Sequence, residues 1–159
     1  MKIKIICVGK IKEKFYRDAI DEYVKRLSRY ATVEICEVQD EKTPDKISDN
    51  ERDLILAREG ERIRLKLKDS DFLCTLAIEG KKYSSEALAE KLNNLFVSGV
   101  SSIAFVIGGS LGIDSSIKKD AAMSLSFSDM TFPHQLMRVI LLEQIYRAFK
   151  INAHEPYHK

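Results

Sequence analysis

The side chains with chemistry to offer gather in three polar stretches and a short tail. Ile107-Gly108-Gly109-Ser110-Leu111-Gly112 follows an apolar run, and glycine there lets backbone N–H groups approach a ligand with no Cβ in the way. The pattern is neither GxGxxG nor GxxxxGKS/T, so it dictates neither a dinucleotide site nor a P-loop, and an ordinary strand-to-helix turn explains it equally. Ser128-Asp129-Met130-Thr131 is the second stretch and Ile78-Glu79-Gly80 the third. Asp129 is either a ligand contact or the acidic residue that a helix-leading turn favours. His134 falls in the first turn of the next helix, where the dipole discourages a protonated imidazole, and a packed or solvated role competes with catalysis there. The tail, Ile151-Asn-Ala-His-Glu-Pro-Tyr-His-Lys159, ends in an aromatic hydroxyl, an imidazole and an ammonium. Chain ends fray as a rule. A proline-stiffened tail of this composition could instead fold over a pocket and supply a base and a phosphate contact.

The elements that must position these groups read as an alternation. Lys2–Val8 is a first strand, too apolar for one buried face and therefore central. A charged helix over 13–27 carries Tyr16, Ile20, Tyr23, Val24 and Leu27 as a stripe. A second strand covers 31–38. A polar linker then leads to a helix over 51–68, capped by Ser48 or Asp49, in which Gly60 marks a close contact or a weak point. Strand three covers 72–78, a helix 84–97 and strand four 102–107. Met123, Leu125 and Phe127 alternate with serines as a last short strand. Pro133 then opens a helix over 133–149 from its N1 position. The run Val139–Leu142 is wider than one apolar face, which suggests burial against a sheet on one side and another subunit on the other. Glu143 and Arg147, four apart, should pair. Such alternation indicates an α/β fold, a mainly parallel sheet with helices on both faces, which binds ligands beyond the C-terminal ends of its strands. The three polar stretches are all such ends.

Composition narrows the field. A length of 159 residues is one domain, 1–159, by default. A formal charge of +2 argues against affinity built on many phosphate contacts, while a local basic patch remains open. Cys7, Cys36 and Cys74 sit singly in apolar runs with no CxxC, so the expectation is buried free thiols in a reducing compartment, without zinc or disulfides. MKIKIICVGK is too short and interrupted for a signal peptide or membrane span, and cytoplasmic residence is the default expectation.

Four stretches, VGKIKEKFYRDAIDEYVKRL, FVIGGSLGI, LSFSDMTFPHQLMRVILLEQIYRAFKI and HEPYHK, make the chain resemble the bacterial ribosomal RNA large subunit methyltransferase H family from end to end. These enzymes methylate N3 of pseudouridine 1915 in 23S rRNA. The resemblance implies a SPOUT-like fold with a C-terminal trefoil knot, where the residues alone would give a plain open sheet because knots are very rare. It implies a homodimer, and S-adenosylmethionine held by Leu76, Gly108, Phe127, Ser128, Asp129, Met130, Thr131 and Phe132. For methyl transfer to a protonated ring nitrogen, His158 is the first candidate for base or anion stabiliser. Tyr157 would stack on the nucleobase, and Arg138 and Lys159 would hold phosphates or developing charge, although an arginine in the last helix could equally be tied up in the dimer. No metal is required. The target lies in an rRNA hairpin loop, suited to readout by stacking, and a chain with so little net charge is expected to recognise the assembled ribosome. Two alternatives stand beside this reading: a nucleotide-binding regulatory module without chemistry, and a methyltransferase acting on tRNA or another rRNA site.

Overall fold

Strand one shows how the sequence builds its two faces. In the computed structural model, which describes residues 1–159, β1 (Lys2–Val8) lies at the centre of the sheet. Its alternate residues Ile3, Ile5 and Cys7 join one hydrophobic cluster, and Ile6 and Val8 join another on the opposite face. That is the period of two expected of a strand buried on both sides. The remaining elements follow as α1 (Lys14–Leu27), β2 (Thr32–Val38), α2 (Asp49–Arg64), β3 (Phe72–Lys82), α3 (Ser85–Val97), β4 (Ser102–Ile107), α4 (Ser115–Asp120), β5 (Met123–Ser126) and α5 (His134–Asn152). The strands lie in the order β2-β1-β4-β3-β5, every neighbouring pair parallel. The larger cluster unites α1, α3 and α5 on one face, and the smaller takes Ile63 of α2 and Ile117 of α4 on the other.

The smaller face also buries a charge. Lys4, 2% exposed, donates to Asp71 Oδ2 at 2.6 Å and to the Lys66 carbonyl at 2.9 Å. Asp71 accepts further from Ser102 Oγ at 2.6 Å and from the Lys68 N–H at 2.9 Å. Burial alone would raise the Asp71 pKa, but these hydrogen bonds and the Lys4 charge outweigh it and hold the carboxyl below its ordinary range.

Local signals are visible at the helix starts. Ser48 caps α2 in a reciprocal box with Glu51, and Ser84 caps α3 by accepting from the Ala87 N–H. Gly60 is a close contact: a Cβ there would stand 3.0 Å from Cβ of Asp114. Glu143 and Arg147 pair through two hydrogen bonds, of 2.6 and 3.0 Å.

Several expectations need correction. Part of the apolar width of α5 is consumed inside one chain: Leu141, Leu142, Ile145, Tyr146, Ala148 and Phe149 are buried where the helix meets α1, α3 and the sheet, while Val139 and Ile140 stay half-buried. Pro133 occupies the N-cap rather than N1. The six residues of α4 are too few to show a helical period and were not anticipated. Strand β3 runs four residues past Ile78, and its register against β5 shifts between Leu76 and Lys81, both of which pair with Leu125. Residues 77–80 leave that ladder as a bulge. Cys7 and Cys74 are buried free thiols, but Cys36 is only half-buried. No helix is long and apolar enough to cross a membrane.

Candidate active site

The C-terminal ends of β3, β4 and β5 converge on a cavity of about 750 Å³. Each wall has a local cause. The β3 bulge supplies Leu76, Ala77, Ile78 and Glu79, and the loop after β4 supplies Gly108 to Gly112. The turn between β5 and α5 supplies Phe127, Ser128, Met130, Thr131 and Phe132, with His134 and Met137 from the first turn of α5. That turn is braced internally, since Ser126 Oγ donates to the Ser128 carbonyl at 3.1 Å and the Met130 N–H donates to Ser128 Oγ at 3.0 Å. Of the residues expected around a cofactor, seven line this cavity. Asp129 does not: its side chain is 81% exposed and pairs with Lys82 at 2.6 Å.

The glycine loop works differently from the expectation. A Cβ on Gly108 would stand 2.5 Å from the Gly112 carbonyl carbon and 2.8 Å from Ile113 Cγ1. Glycine is needed there so that the loop can close on itself. The Gly112 N–H donates back to the Gly109 carbonyl at 3.1 Å, and Gly112 holds φ at +95°, in the region glycine favours.

Charged groups reach the cavity from the opposite face of the sheet. Lys118 of α4 pairs with Glu79 at 2.6 Å, and Arg52 of α2 donates to the Leu111 carbonyl at 3.3 Å. Neither was foreseen from sequence, because α4 was unseen and Arg52 sits in a helix with no site signal of its own. Met137 is also a wall residue.

Arg138 lies elsewhere. It is 1% exposed, with Nη1 on Glu37 Oε2 and Nη2 on the Gly9 carbonyl, each at 2.7 Å. Glu37 Oε2 also accepts the Ile11 N–H at 2.9 Å. The guanidinium therefore ties α5 to the ends of β1 and β2, and its Nε is buried with no partner. In this arrangement Arg138 is a buried tie and not a surface phosphate ligand. Its Nη2 also lies 3.4 Å from His134 Nδ1. Burial, and then the Arg138 charge, push the His134 pKa down, so the ring is neutral, accepts at Nδ1 and carries its proton on Nε2.

The tail is folded, but onto α5 and α3 and not over its own cavity. His154 takes a left-handed φ of +54° as α5 ends. Glu155 accepts from Tyr30 Oη at 2.7 Å and is also paired with Lys150. Tyr157 meets the Tyr146 ring edge-on at 4.9 Å, lies beneath the Arg147 guanidinium at 4.7 Å and donates to Glu143 Oε1 at 3.1 Å. Burial, with hydrogen bonds to Tyr23 and Glu143, pushes its phenol pKa far up, so it remains a protonated donor. His158 Nδ1 faces Arg147 Nη1 at 3.2 Å and its Nε2 faces Glu86 Oε1 at 2.8 Å. Glu86 is held down at about 2 by its own backbone N–H and then by His158 and Ser84. Tyr157 and His158 are therefore brought together with each other but apart from the cavity residues.

Comparison with known proteins covers this chain along its whole length. A family model described as "Predicted SPOUT methyltransferase" matches residues 1–158. A protein of Bifidobacterium animalis subsp. lactis named ribosomal RNA large subunit methyltransferase H is 62% identical over 159 residues, covering the whole of both chains. One of the same name from Streptococcus equi subsp. zooepidemicus is 57% identical with the same full coverage. Among solved structures, one titled as a probable methylase family protein from Haemophilus influenzae superposes with a TM-score of 0.54 over 99% of this chain and 70% of its own, at 14% identity, which speaks to fold alone. Identity of this extent, unbroken from the first strand to the tail, places the chain in the ribosomal RNA large subunit methyltransferase H family of SPOUT methyltransferases.

Proposed function

We propose that this protein transfers a methyl group from S-adenosylmethionine to N3 of pseudouridine 1915 in 23S rRNA of the large ribosomal subunit. The observation that carries the reading is the 750 Å³ cavity at the ends of β3, β4 and β5, in a chain 62% identical throughout to a large-subunit rRNA methyltransferase. SPOUT enzymes use S-adenosylmethionine, and the cavity suits it. Leu76, Ile107, Leu125, Phe127 and Phe132 offer apolar walls for an adenine ring. The β3 bulge, out of its ladder with β5, and the closed glycine loop offer backbone groups to its polar edges. Bound there, the cofactor supplies an electrophilic methyl group. Ser128, Met130 and Thr131 hold it through the turn before α5, and Asp129 contributes by fixing that turn through Lys82.

The remaining parts of the reading rest on how the chain returns from the sheet edge. Strand β5 lies beyond β3, yet α5, which follows it, packs against α1, α3 and β4. A return path of that kind supports the C-terminal trefoil knot and a single domain over 1–159. The tail contacts residues 143–147 of α5, whereas the cavity takes Met137, so roughly 9–15 Å of helix separates them at 1.5 Å per residue. A chain's own tail does not close its own cavity. In a homodimer with the α5 helices side by side and opposed, each tail would face the other chain's cavity. Half-buried Leu136, Val139 and Ile140, with exposed Phe15 and Met130, are the apolar surface available for that interface.

The chemistry then divides between residues on the page. Tyr157 stays protonated and serves as platform and donor to the nucleobase. His158 has both ring nitrogens engaged in the single chain, Nδ1 accepting from Arg147 and Nε2 facing the Glu86 carboxylate, so it becomes the acceptor of the N3 proton only after Nδ1 releases Arg147. Alignment of methyl and nitrogen in a closed site supplies most of the rate. Arg138 acts by position, holding the start of α5. The test is methyl transfer to large subunits lacking this modification, with the product mapped by mass spectrometry. Methylation confined to N3 of pseudouridine 1915 is expected. No transfer, or transfer to another nucleotide or to tRNA, would overturn the proposal.

A further inference from the structure

A second cavity, of about 520 Å³, lies at the C-terminal ends of β1 and β2 and shares His134 with the first. Its lining is wholly polar: Gly9, Lys10, Lys12, Gln39, Asp40, His134 and Gln135. The fold assembles it deliberately. The Lys12 N–H donates to Gln135 Oε1 at 3.2 Å and Arg62 Nη1 donates to the Gln39 carbonyl at 2.8 Å, fixing both rims. Gly9 holds φ at +93°, and a Cβ there would stand 3.3 Å from His134 Cε1. The glycine therefore lets the imidazole lie against the strand end, with its Nε2 proton free of protein partners.

Fewer than half of the charged side chains on this molecule are held in ion pairs, and those of this hollow are among the unpaired. The ammonium groups of Lys10 and Lys12 have no carboxylate within ion-pair distance, and the Asp40 carboxylate has no cation. Two free cations, one free carboxylate, two amides and an imidazole N–H thus surround one hollow of a size that holds a small ligand, within the usual range of about 300–1,000 Å³. An apolar molecule gains nothing there, and a simple anion would meet Asp40. A ribonucleotide answers all of it, since its phosphate takes the ammonium groups and its 2′-hydroxyl donates to a carboxylate.

We infer that this polar cavity holds a ribose-phosphate unit of the RNA substrate next to the nucleotide being methylated, with Lys10 and Lys12 on phosphate and Asp40 on the 2′-hydroxyl. The inference rests on the methyltransferase reading above and adds to it a site within the same chain. It also explains how a protein of net charge +2 engages RNA: the positive charge is local and set beside the cavity that holds the methyl donor. The 2′-hydroxyl contact discriminates RNA from DNA at that position.

The experiment compares wild-type protein with Lys10→Gln/Lys12→Gln and with Asp40→Asn. Each is titrated with S-adenosylmethionine, and each is bound to undermethylated large subunits across a salt series. These are exposed side chains, and thermal melts verify that the variants fold. The double variant should bind subunits more weakly, with the slope of log Kd against log salt reduced by about one to two units, while its cofactor affinity stays at the wild-type value. Asp40→Asn should weaken subunit binding with the slope intact. An unchanged slope in the folded double variant overturns the phosphate assignment, and wild-type subunit binding by Asp40→Asn overturns the 2′-hydroxyl contact. Failure of the wild-type protein to methylate large subunits is read first and separately, and it would remove the functional reading and this site together.

Discussion

Replacing Gly108 by alanine should weaken S-adenosylmethionine binding by roughly 5–150-fold while leaving the protein folded. The added Cβ would stand 2.5 Å from the Gly112 carbonyl carbon, with Ile113 Cγ1 at 2.8 Å. That is roughly 1 Å short of ordinary carbon–carbon contact. The first obstacle is backbone, so no rotamer change relieves it, and the loop from Gly108 to Gly112 must open by about that distance. Overpacking of this kind costs about 1–3 kcal/mol in stability. The same loop is a wall of the cavity, and about 1–3 kcal/mol of loop reopening that falls on cofactor binding weakens it by roughly 5–150-fold. Calorimetric titration with the cofactor, alongside a thermal melt, measures both. Gly99→Ala is the control: its Cβ would meet nothing within 4 Å, although its φ of +99° strains any side chain. It should lower the melting temperature without touching cofactor affinity. A Gly108→Ala protein that binds as tightly as wild type would refute the loop's place in the site. Equal loss of affinity in Gly99→Ala would show that general destabilisation, and not the loop, is being measured.

Further outcomes follow from other contacts. His158→Ala should lower the single-turnover methylation rate by about 10²–10⁴-fold with cofactor affinity intact; a loss confined to ribosome binding would make the residue an RNA contact instead. Sedimentation at micromolar concentration should give twice the chain mass, and a monomer would leave the tail with no cavity to close. Lys4→Met should destabilise the fold by about 3–5 kcal/mol, because it leaves the Asp71 carboxylate buried beside no cation. Because the folded pKa of Asp71 is depressed, its contribution is complete above the unfolded value of about 3.9 and fades as pH falls through the lower folded value. Chemical denaturation between pH 7 and pH 3 should therefore show the gap between wild type and Lys4→Met narrowing only at the acid end; a gap that narrows near neutrality would point to another group.

Much of the architecture was legible because it is written in short periods. Ile3, Ile5, Ile6 and Val8 declared a strand buried on both faces, and the choice of Ser48 or Asp49 as cap of α2 rested on side-chain chemistry that operates within three residues. The polar ends of β3, β4 and β5 could be named from the parallel order as the place where a ligand is expected, and seven of the eight residues that the family resemblance implies around a cofactor line the cavity there. What escaped depends on separations the chain's local pattern does not encode. Six residues of α4 span too few turns to show a period, so Lys118 could not be placed beside Glu79, 39 positions away. Arg138 stood on a helix expected to be buried, where a charge must pair or face a ligand, and only the fold shows its guanidinium meeting Glu37 across 101 positions, sealed from solvent. Gly108 read as an approach for a ligand, and only the closed loop shows that its missing Cβ makes room for Gly112. The tail's composition announced chemistry, but which surface it lies on was decided by Glu143, Arg147 and Tyr146 offering hydrogen bonds and an aromatic edge within reach of a chain turned back at His154. Sequence supplies residue types at fixed local spacing; only tertiary folding decides which distant groups meet, and so which charges are spent on structure and which, like Lys10 and Lys12, remain free to bind.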